Sequence, residues 1–332
     1  MKDKNILVTG GLGFIGSHFV ELLYKKCKNC KITIIDSYAY CVSEKTEDYL
    51  WDMYKKSSNK LDIIYVSISD FKLDKEYDYI VNFAAESHVD NSIEAGDVFI
   101  DSNYVGVYEL LKQLPDNTRF LQVGTDEVYG SLQLNSEPSE EYSLLEPSSI
   151  YSATKAGADL LALSFHKTYK KDIVITRCTN NFGPRQYTEK FIPVVIQKVN
   201  NNEPIPVYGK GVNVRQWMYV KDHCEKLYNV LTRGTAGQIY NLAPDSEYHS
   251  EIPNIDVVYL VLKILNTSTS FISFVEDRKG HDIRYSLRDS MYRSMMIKSG
   301  SQLEFSVTEN TFENDLKHTI MWYIENANWW NK

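Results

Sequence analysis

Tyr151 and Lys155 stand four residues apart in Tyr151-Ser152-Ala153-Thr154-Lys155, a spacing that puts both side chains on one face of a helix. A free phenol has a pKa of ~10, so a base working near neutrality needs roughly 4 kcal/mol of electrostatic help. One ammonium at about 4 Å supplies help of that order at an intermediate dielectric. A second constellation lies upstream, in Val123-Gly124-Thr125-Asp126-Glu127-Val128-Tyr129-Gly130. Two neighbouring carboxyls there can divide proton work, one kept protonated as acid and the other ionised as base. Many Asp-Glu pairs in loops are merely solvated. This one follows an apolar run, Phe120-Leu121-Gln122-Val123, and the carboxyl ends of such strands are where open α/β sheets bind ligands.

The first apolar run, Ile6-Leu7-Val8, leads into Thr9-Gly10-Gly11-Leu12-Gly13-Phe14-Ile15-Gly16. Glycines at 10, 13 and 16 let the chain turn tightly and let a pyrophosphate approach the N-terminus of the helix that follows, where free N–H groups face the anion. A glycine string alone is a weak signal, but between a strand and a helix it is a strong one. Asp36 ends the second strand 20 residues after Gly16, where a carboxylate binds both ribose hydroxyls and repels an added phosphate. NAD is therefore expected rather than NADP.

These groups need a frame, and the hydrophobic pattern predicts one. Ile32–Ile35, Ile63–Val66, Tyr79–Phe83, Phe120–Val123 and Ile173–Ile175 read as buried strands. Phe14–Lys26 and Val98–Leu114 read as crossover helices between them, and a further helix opens at Tyr151 and runs to about Tyr169. Such alternation predicts an α/β fold, a Rossmann-type doubly wound parallel sheet, with a smaller α/β C-terminal substrate lobe. After Asn180 the texture changes. Prolines 184, 193, 204 and 206 surround helices expected at Ile192–Asn200, from Asp222, at Val257–Leu265 and at Glu309–Glu325, with an extended stretch over Ile205–Val220 and a strand at Gln238–Leu242. The expected division is a cofactor domain over 1–182, rejoined by 216–243, and a second lobe over 183–215 and 244–332.

Composition narrows the partners. The 332 residues carry 36 Lys+Arg against 44 Asp+Glu, a net charge of −8, which argues against a nucleic-acid polymer as partner. Hydrophobic residues make up 43%, and no apolar run approaches the ~20 residues of a membrane span. Strand-like sequence begins at Asn5, so no signal peptide is expected. Five cysteines, with Cys27 and Cys30 in a lone C-x-x-C, suit neither a disulfide framework nor a tetrahedral metal site. A soluble cytoplasmic protein without a metal is expected.

The chain resembles extended short-chain dehydrogenases/reductases, and among them the dTDP-glucose 4,6-dehydratase family. The resemblance runs nearly the whole length. It rests on the glycine loop, Ala84-Ala85-Glu86-Ser87-His88-Val89-Asp90, the Thr125–Gly130 run, Tyr151–Lys155 and Arg177-Cys178-Thr179-Asn180-Asn181-Phe182-Gly183-Pro184. It continues through Glu189–Pro193, Asn213–Trp217 and Asp277-Arg278-Lys279-Gly280-His281-Asp282. The Thr-Asp-Glu triplet is the specific mark, because epimerase relatives share the tyrosine and lysine but lack the paired carboxyls.

The resemblance implies NAD that stays bound and is regenerated at each turn, a nucleoside-diphosphate sugar as substrate and a homodimer built on the 98–114 and Tyr151 helices. Tyr151 would take the C4 hydroxyl proton, Glu127 the C5 proton, and Asp126 would protonate the departing C6 hydroxyl. Thr125 would hydrogen-bond the C4 oxygen and Lys155 the nicotinamide ribose. Cofactor positions would be Gly10, Gly13, Phe14, Ile15, Gly16, Asp36, Ser37, Ser67, Ile68, Ala84, Ala85, Ser102, Tyr151, Lys155 and Asn181. Substrate positions would be Ser87, Thr125, Asn180, Lys190, Phe191, Val207, Tyr208, Arg215, Asn254, Arg278 and His281, with the arginines suited to phosphate oxygens. Ser67 stands where the family often has Asp, Asn91 where it has Arg, Thr188 and Lys279 where it has Pro, and about four extra residues precede Asn254. dTDP-glucose and UDP-glucose both remain open as substrate. So do a 4-epimerase or decarboxylase of the same fold, and a non-catalytic NAD-binding scaffold.

Overall fold

The computed structural model of the chain describes residues 1–245, 251–277, 280–300 and 311–329. The first half alternates β1 (Asn5–Thr9), α1 (Phe14–Lys26), β2 (Lys31–Asp36), α2 (Glu44–Tyr54), β3 (Lys60–Tyr65) and β4 (Tyr79–Asn82). It continues with α3 (Val89–Glu94), α4 (Gly96–Ile100), a π-helical turn over Asp101–Val105, α5 (Gly106–Lys112), β5 (Arg119–Thr125), α6 (Ile150–Tyr169) and β6 (Ile173–Cys178). The second half holds β7 (Asn180–Phe182), α7 (Phe191–Asn200), β8 (Ile205–Tyr208), β9 (Val214–Tyr219), α8 (Val220–Arg233) and β10 (Ile239–Leu242). Last come β11 (Glu251–Pro253), α9 (Asn254–Ile264), β12 (Ile272–Val275), α10 (Ser290–Lys298) and α11 (Thr311–Glu325).

Among the described residues one seven-stranded sheet has the order β3-β2-β1-β4-β5-β6-β10, with every pair parallel. Side chains alternate across it, as a period of two demands. Ile6 and Val8 face α1, α8 and α10 in one core layer, with Phe19, Leu227 and Met295. Leu7 and Ile80 face α5 and α6 in the other, with Leu110 and Ala158. Each buried aliphatic side chain contributes about 1.5–3 kcal/mol, which is why these runs read so clearly as strands. The chain order reverses between β1 and β4, and that switch point is tied down beneath its rim. Thr9 donates to Asn82 (2.5 Å) and Asn82 to Gln122 (2.9 Å).

A smaller lobe is built on a three-stranded sheet, β11-β9-β7, and a pair, β12-β8. Its separate core contains Phe182, Val195, Trp217, Val258 and Leu316. Three details depart from the sequence expectation. Asn180–Phe182 pairs with β9, so the small lobe's sheet starts before residue 183 and takes in 214–219. The stretch 205–220 is broken into two strands by turns at Gly209 and Gly211, both with positive φ. Tyr292, Met295 and Met296 of α10 pack on the large sheet, because a short amphipathic helix joins whichever apolar face is nearest in space. Residues before Thr311 in the expected 309–325 helix lie outside the described set.

Candidate active site

Gly10 follows β1 at φ 65°, a left-handed conformation in which its N–H donates to Ile35 O (2.7 Å). A Cβ at Gly16 would stand 2.1 Å from the Gly10 carbonyl oxygen, so the helix must enter as glycine. Helix α1 starts after Gly13 with no acidic residue in its first turn, leaving its positive end turned to the loop. Above it opens a cleft of about 320 Å³. All of the expected cofactor positions line it: the glycines, Phe14, Ile15, Asp36, Ser37, Ser67, Ile68, Ala84, Ala85, Ser102, Tyr151, Lys155 and Asn181. The Asp36 carboxylate already accepts from Leu12 N (3.0 Å) and Tyr38 N (2.9 Å). Those bonds fix its direction.

The same cleft takes in Thr125, Asp126 and Glu127 from the end of β5 and Ser87, Asn180 and Lys190 from the opposite side. Helix α6 delivers Tyr151 in its first turn, and a reciprocal cap holds that turn. Ser152 N donates to Ser149 Oγ (3.1 Å) and Ser149 N to Ser152 Oγ (3.0 Å), an arrangement that stabilises a helix start by about 1 kcal/mol. Thr125 caps the short 126–129 turn, donating to Asp126 Oδ1 (3.2 Å) and accepting from Glu127 N (3.3 Å). The π turn carries Asn103 inward, where its amide bonds both polar groups of the Glu86 backbone and the Thr154 hydroxyl. It thereby ties the loop after β4 to α6.

Burial, and after it the charge of Glu127, pushes the Asp126 carboxyl up to about 8. One of its oxygens, Oδ2, is buried without a hydrogen-bond partner. An uncharged, proton-carrying carboxyl is the form such a position favours. The Tyr151–Lys155 pair differs from expectation. Burial, with Glu127 adding to it, raises the Tyr151 phenol well above its ordinary value. Lys155 spends its ammonium on Val123 O at 2.7 Å, and burial lowers its own pKa. Sequence spacing placed the two on one face but could not show that a strand carbonyl competes for the lysine.

Phe191, Val207, Tyr208, Arg215, Asn254 and His281 stand beyond the cleft's lining. They belong to the small lobe, whose sheet and helices set them apart from the cofactor groove. Phe191 stacks on Trp217 (6.2 Å between centroids), and Tyr208 meets His281 edge to face at 6.1 Å. Asn254 Oδ1 is buried without a partner. Arg215 lies near enough to Asp126 for its charge to oppose that carboxyl's rise. Arg278 lies outside the described residues. The sequence reading missed Tyr40, Cys178, Tyr187 and Glu189, which also line the cleft. Tyr40 donates to Glu189 (2.9 Å) and accepts from Asn91 (3.1 Å), a contact spanning three segments that no local pattern announces.

The chain is similar to known proteins over nearly its whole length. Residues 7–297 match the family model described as GDP-mannose 4,6 dehydratase. A dTDP-glucose 4,6-dehydratase of Actinoplanes sp. is 38% identical, over 98% of this chain and 99% of its own. The low-salt glycan biosynthesis protein Agl12 of Haloferax volcanii is 40% identical over 96% and 98%. The crystal structure of a dTDP-glucose 4,6-dehydratase from Streptomyces venezuelae with NAD bound is similar at a TM-score of 0.87 and 37% identity, covering 98% and 99%.

Proposed function

Because the chain belongs to the dTDP-glucose 4,6-dehydratase family, we propose that it converts a nucleoside-diphosphate-glucose into the 4-keto-6-deoxy sugar nucleotide. dTDP-glucose is the favoured substrate and UDP-glucose the next. The observation that carries this reading is Asp126, a buried carboxyl held up at about 8 beside Glu127 and within reach of the Tyr151 cleft. Loss of water from C5 and C6 needs an acid and a base at neighbouring carbons, and an epimerase or a decarboxylase needs no acid at C6.

The cleft's residues fit NAD. A Cβ at Gly10 or Gly16 would meet backbone atoms at 2.7 and 2.1 Å, so the loop can pass this close only as glycine, and Asn180 Oδ1 and Asn181 Oδ1 are buried without partners. Gly10, Gly13 and Gly16 with the α1 N-terminus would hold the pyrophosphate, Asp36 the adenosine ribose, and Lys155 the nicotinamide ribose. Bound there, NAD would supply reversible two-electron redox chemistry, accepting the hydride lost at C4 and returning it at C6 after water leaves, so that the conversion is redox-neutral overall. Tyr151, whose raised phenol a bound cationic nicotinamide would bring down, takes the C4 hydroxyl proton while Thr125 orients that oxygen. The resulting ketone acidifies the C5 proton, which Glu127 removes, and Asp126 gives its proton to the departing C6 hydroxyl. Lys190, Asn180 and Arg215 would meet the diphosphate and sugar, two placed cations among them on an acidic chain; Arg278, which the family resemblance adds to them, lies outside the described residues.

A homodimer is part of the proposal. Val98, Ile100, Tyr104, Val105 and Tyr108 on the 96–112 helical segment and Ile150 and Leu160 on α6 are exposed, an apolar stripe of the kind that marks an interface. Tyr104 lies against Gly157, which keeps the two helices close. A cytoplasmic location accords with five unbridged cysteines. The direct test incubates pure protein with dTDP-glucose and UDP-glucose separately, without added NAD. A 4-keto-6-deoxy product from dTDP-glucose is expected; no product from either sugar nucleotide, even with NAD supplied, overturns the reading.

A further inference from the structure

Arg215 is set in a frame drawn from several segments. The Tyr285 ring lies against its guanidinium, 4.6 Å from Cζ to ring centroid. Arg215 Nη2 donates to the Asp282 carbonyl (3.0 Å) and Nη1 to the Val214 carbonyl (2.8 Å). Asn213 donates to the same Asp282 carbonyl (3.1 Å). The Asp282 carboxylate in turn accepts from the Tyr285 hydroxyl and from Ser148 Oγ (2.7 Å). Ser148 precedes Tyr151 by three residues, so the frame reaches the start of α6. On β9, Arg215 shares a face with Trp217, which pairs with Asn180 in the cleft wall.

A guanidinium on a flexible stem has rotamer freedom that binding would otherwise have to remove. A ring stacked beneath it and a carbonyl at its edge remove that freedom beforehand. These two hydrogen bonds both go to main-chain oxygens, which orient the guanidinium. Tyr285 itself is buried, so its ring acts on the guanidinium packed against it.

We infer that Tyr285 is a positioning residue, its ring holding the Arg215 guanidinium in the orientation that meets the substrate's diphosphate and its hydroxyl anchoring the side chain of Asp282, whose backbone carbonyl supports the same group. The inference rests on the proposed function, and its test separates the two. Binding of dTDP to the NAD-loaded protein is measured by calorimetry, with KM and kcat for dTDP-glucose alongside. Tyr285→Leu weakens dTDP roughly 10-fold and raises KM comparably, with a much smaller change in kcat. Tyr285→Phe, which keeps the ring face, recovers most of the affinity. In an Arg215→Lys background, Tyr285→Leu adds little, since both changes remove one interaction. Tyr285→Met carries the same comparison if the leucine variant does not fold. Unaltered dTDP affinity in the leucine or methionine variant overturns the inference, as do equal losses in the phenylalanine and leucine variants or full additivity with Arg215→Lys. A wild-type protein that binds no dTDP refutes instead the functional reading beneath it.

Discussion

Glu127 sets its charge beside the buried carboxyl of Asp126, and burial together with that charge lifts Asp126 to about 8. An acid with this value carries its proton below pH 8 and loses it above. Dehydration of dTDP-glucose is therefore expected to fall as pH rises through about 8, and Asp126→Asn to lower kcat by about 10²–10⁴. A pH–rate series on wild type and variant checks both. Dehydration at the wild-type rate in Asp126→Asn would remove this residue from the mechanism.

The same carboxyl weakens the fold. Between about pH 4 and pH 8 the folded chain keeps a proton that the unfolded Asp126 has released, so its stability falls as pH rises across that window. Asp126→Asn has no charge to bury and should be more stable than wild type at pH 8, though less active. Urea unfolding of the two proteins at that pH reads the sign, and a less stable variant contradicts it.

Gly16 has no room for a methyl, its Cβ position lying 2.1 Å from the Gly10 carbonyl oxygen. Gly16→Ala must displace the loop that faces the cleft. The variant is expected to purify with little NAD, measured by release of dinucleotide on acid denaturation. Wild-type NAD content would mean that the loop's tightness serves packing only.

Arg185 anchors the loop after β7 to α1 through Glu21, 2.9 Å away, with side chains only 6% and 11% exposed. Burial raises the Glu21 carboxyl, but Arg185 and Lys25 outweigh it and hold the group at about 2. A depressed carboxylate contributes stability above its unfolded value, lost as pH falls from about 4.5 towards 2. Glu21→Gln should cost about 3 kcal/mol at neutral pH by stranding a buried guanidinium. Denaturant unfolding measures it, and a cost too small to detect would argue that solvent already satisfies the Arg185 guanidinium.

Leu160→Glu places a charge in the exposed apolar stripe of α6. If that stripe is the dimer face, the variant sediments as a monomer at micromolar concentration while wild type sediments as a dimer. A wild-type monomer refutes the proposed assembly.

How much of this was legible beforehand follows from the range of the forces involved. The glycine loop, Asp36, the Thr125–Glu127 triplet and the Tyr151 helix are local, since turn geometry, strand burial and an i, i+4 spacing are written within a few residues. The large sheet was legible because its strands are buried on both faces and therefore continuously apolar. Helices α2 and α10 escaped notice, being short and only half apolar, and β12 because its partner β8 lies more than sixty residues earlier. Tyr40 and Tyr285 carried no signal, because what makes each matter is a neighbour from a distant segment.

Residue types and spacing were enough to pick out the groups proposed to do the chemistry and the strand ends that present them. Their protonation and their partners were decided only by folding. Asp126 rises because it is taken out of water beside Glu127, Lys155 turns to the Val123 carbonyl, and Arg215 comes to rest on Tyr285. Desolvation and long-range contact belong to the packed chain, and no stretch of linear sequence contains them.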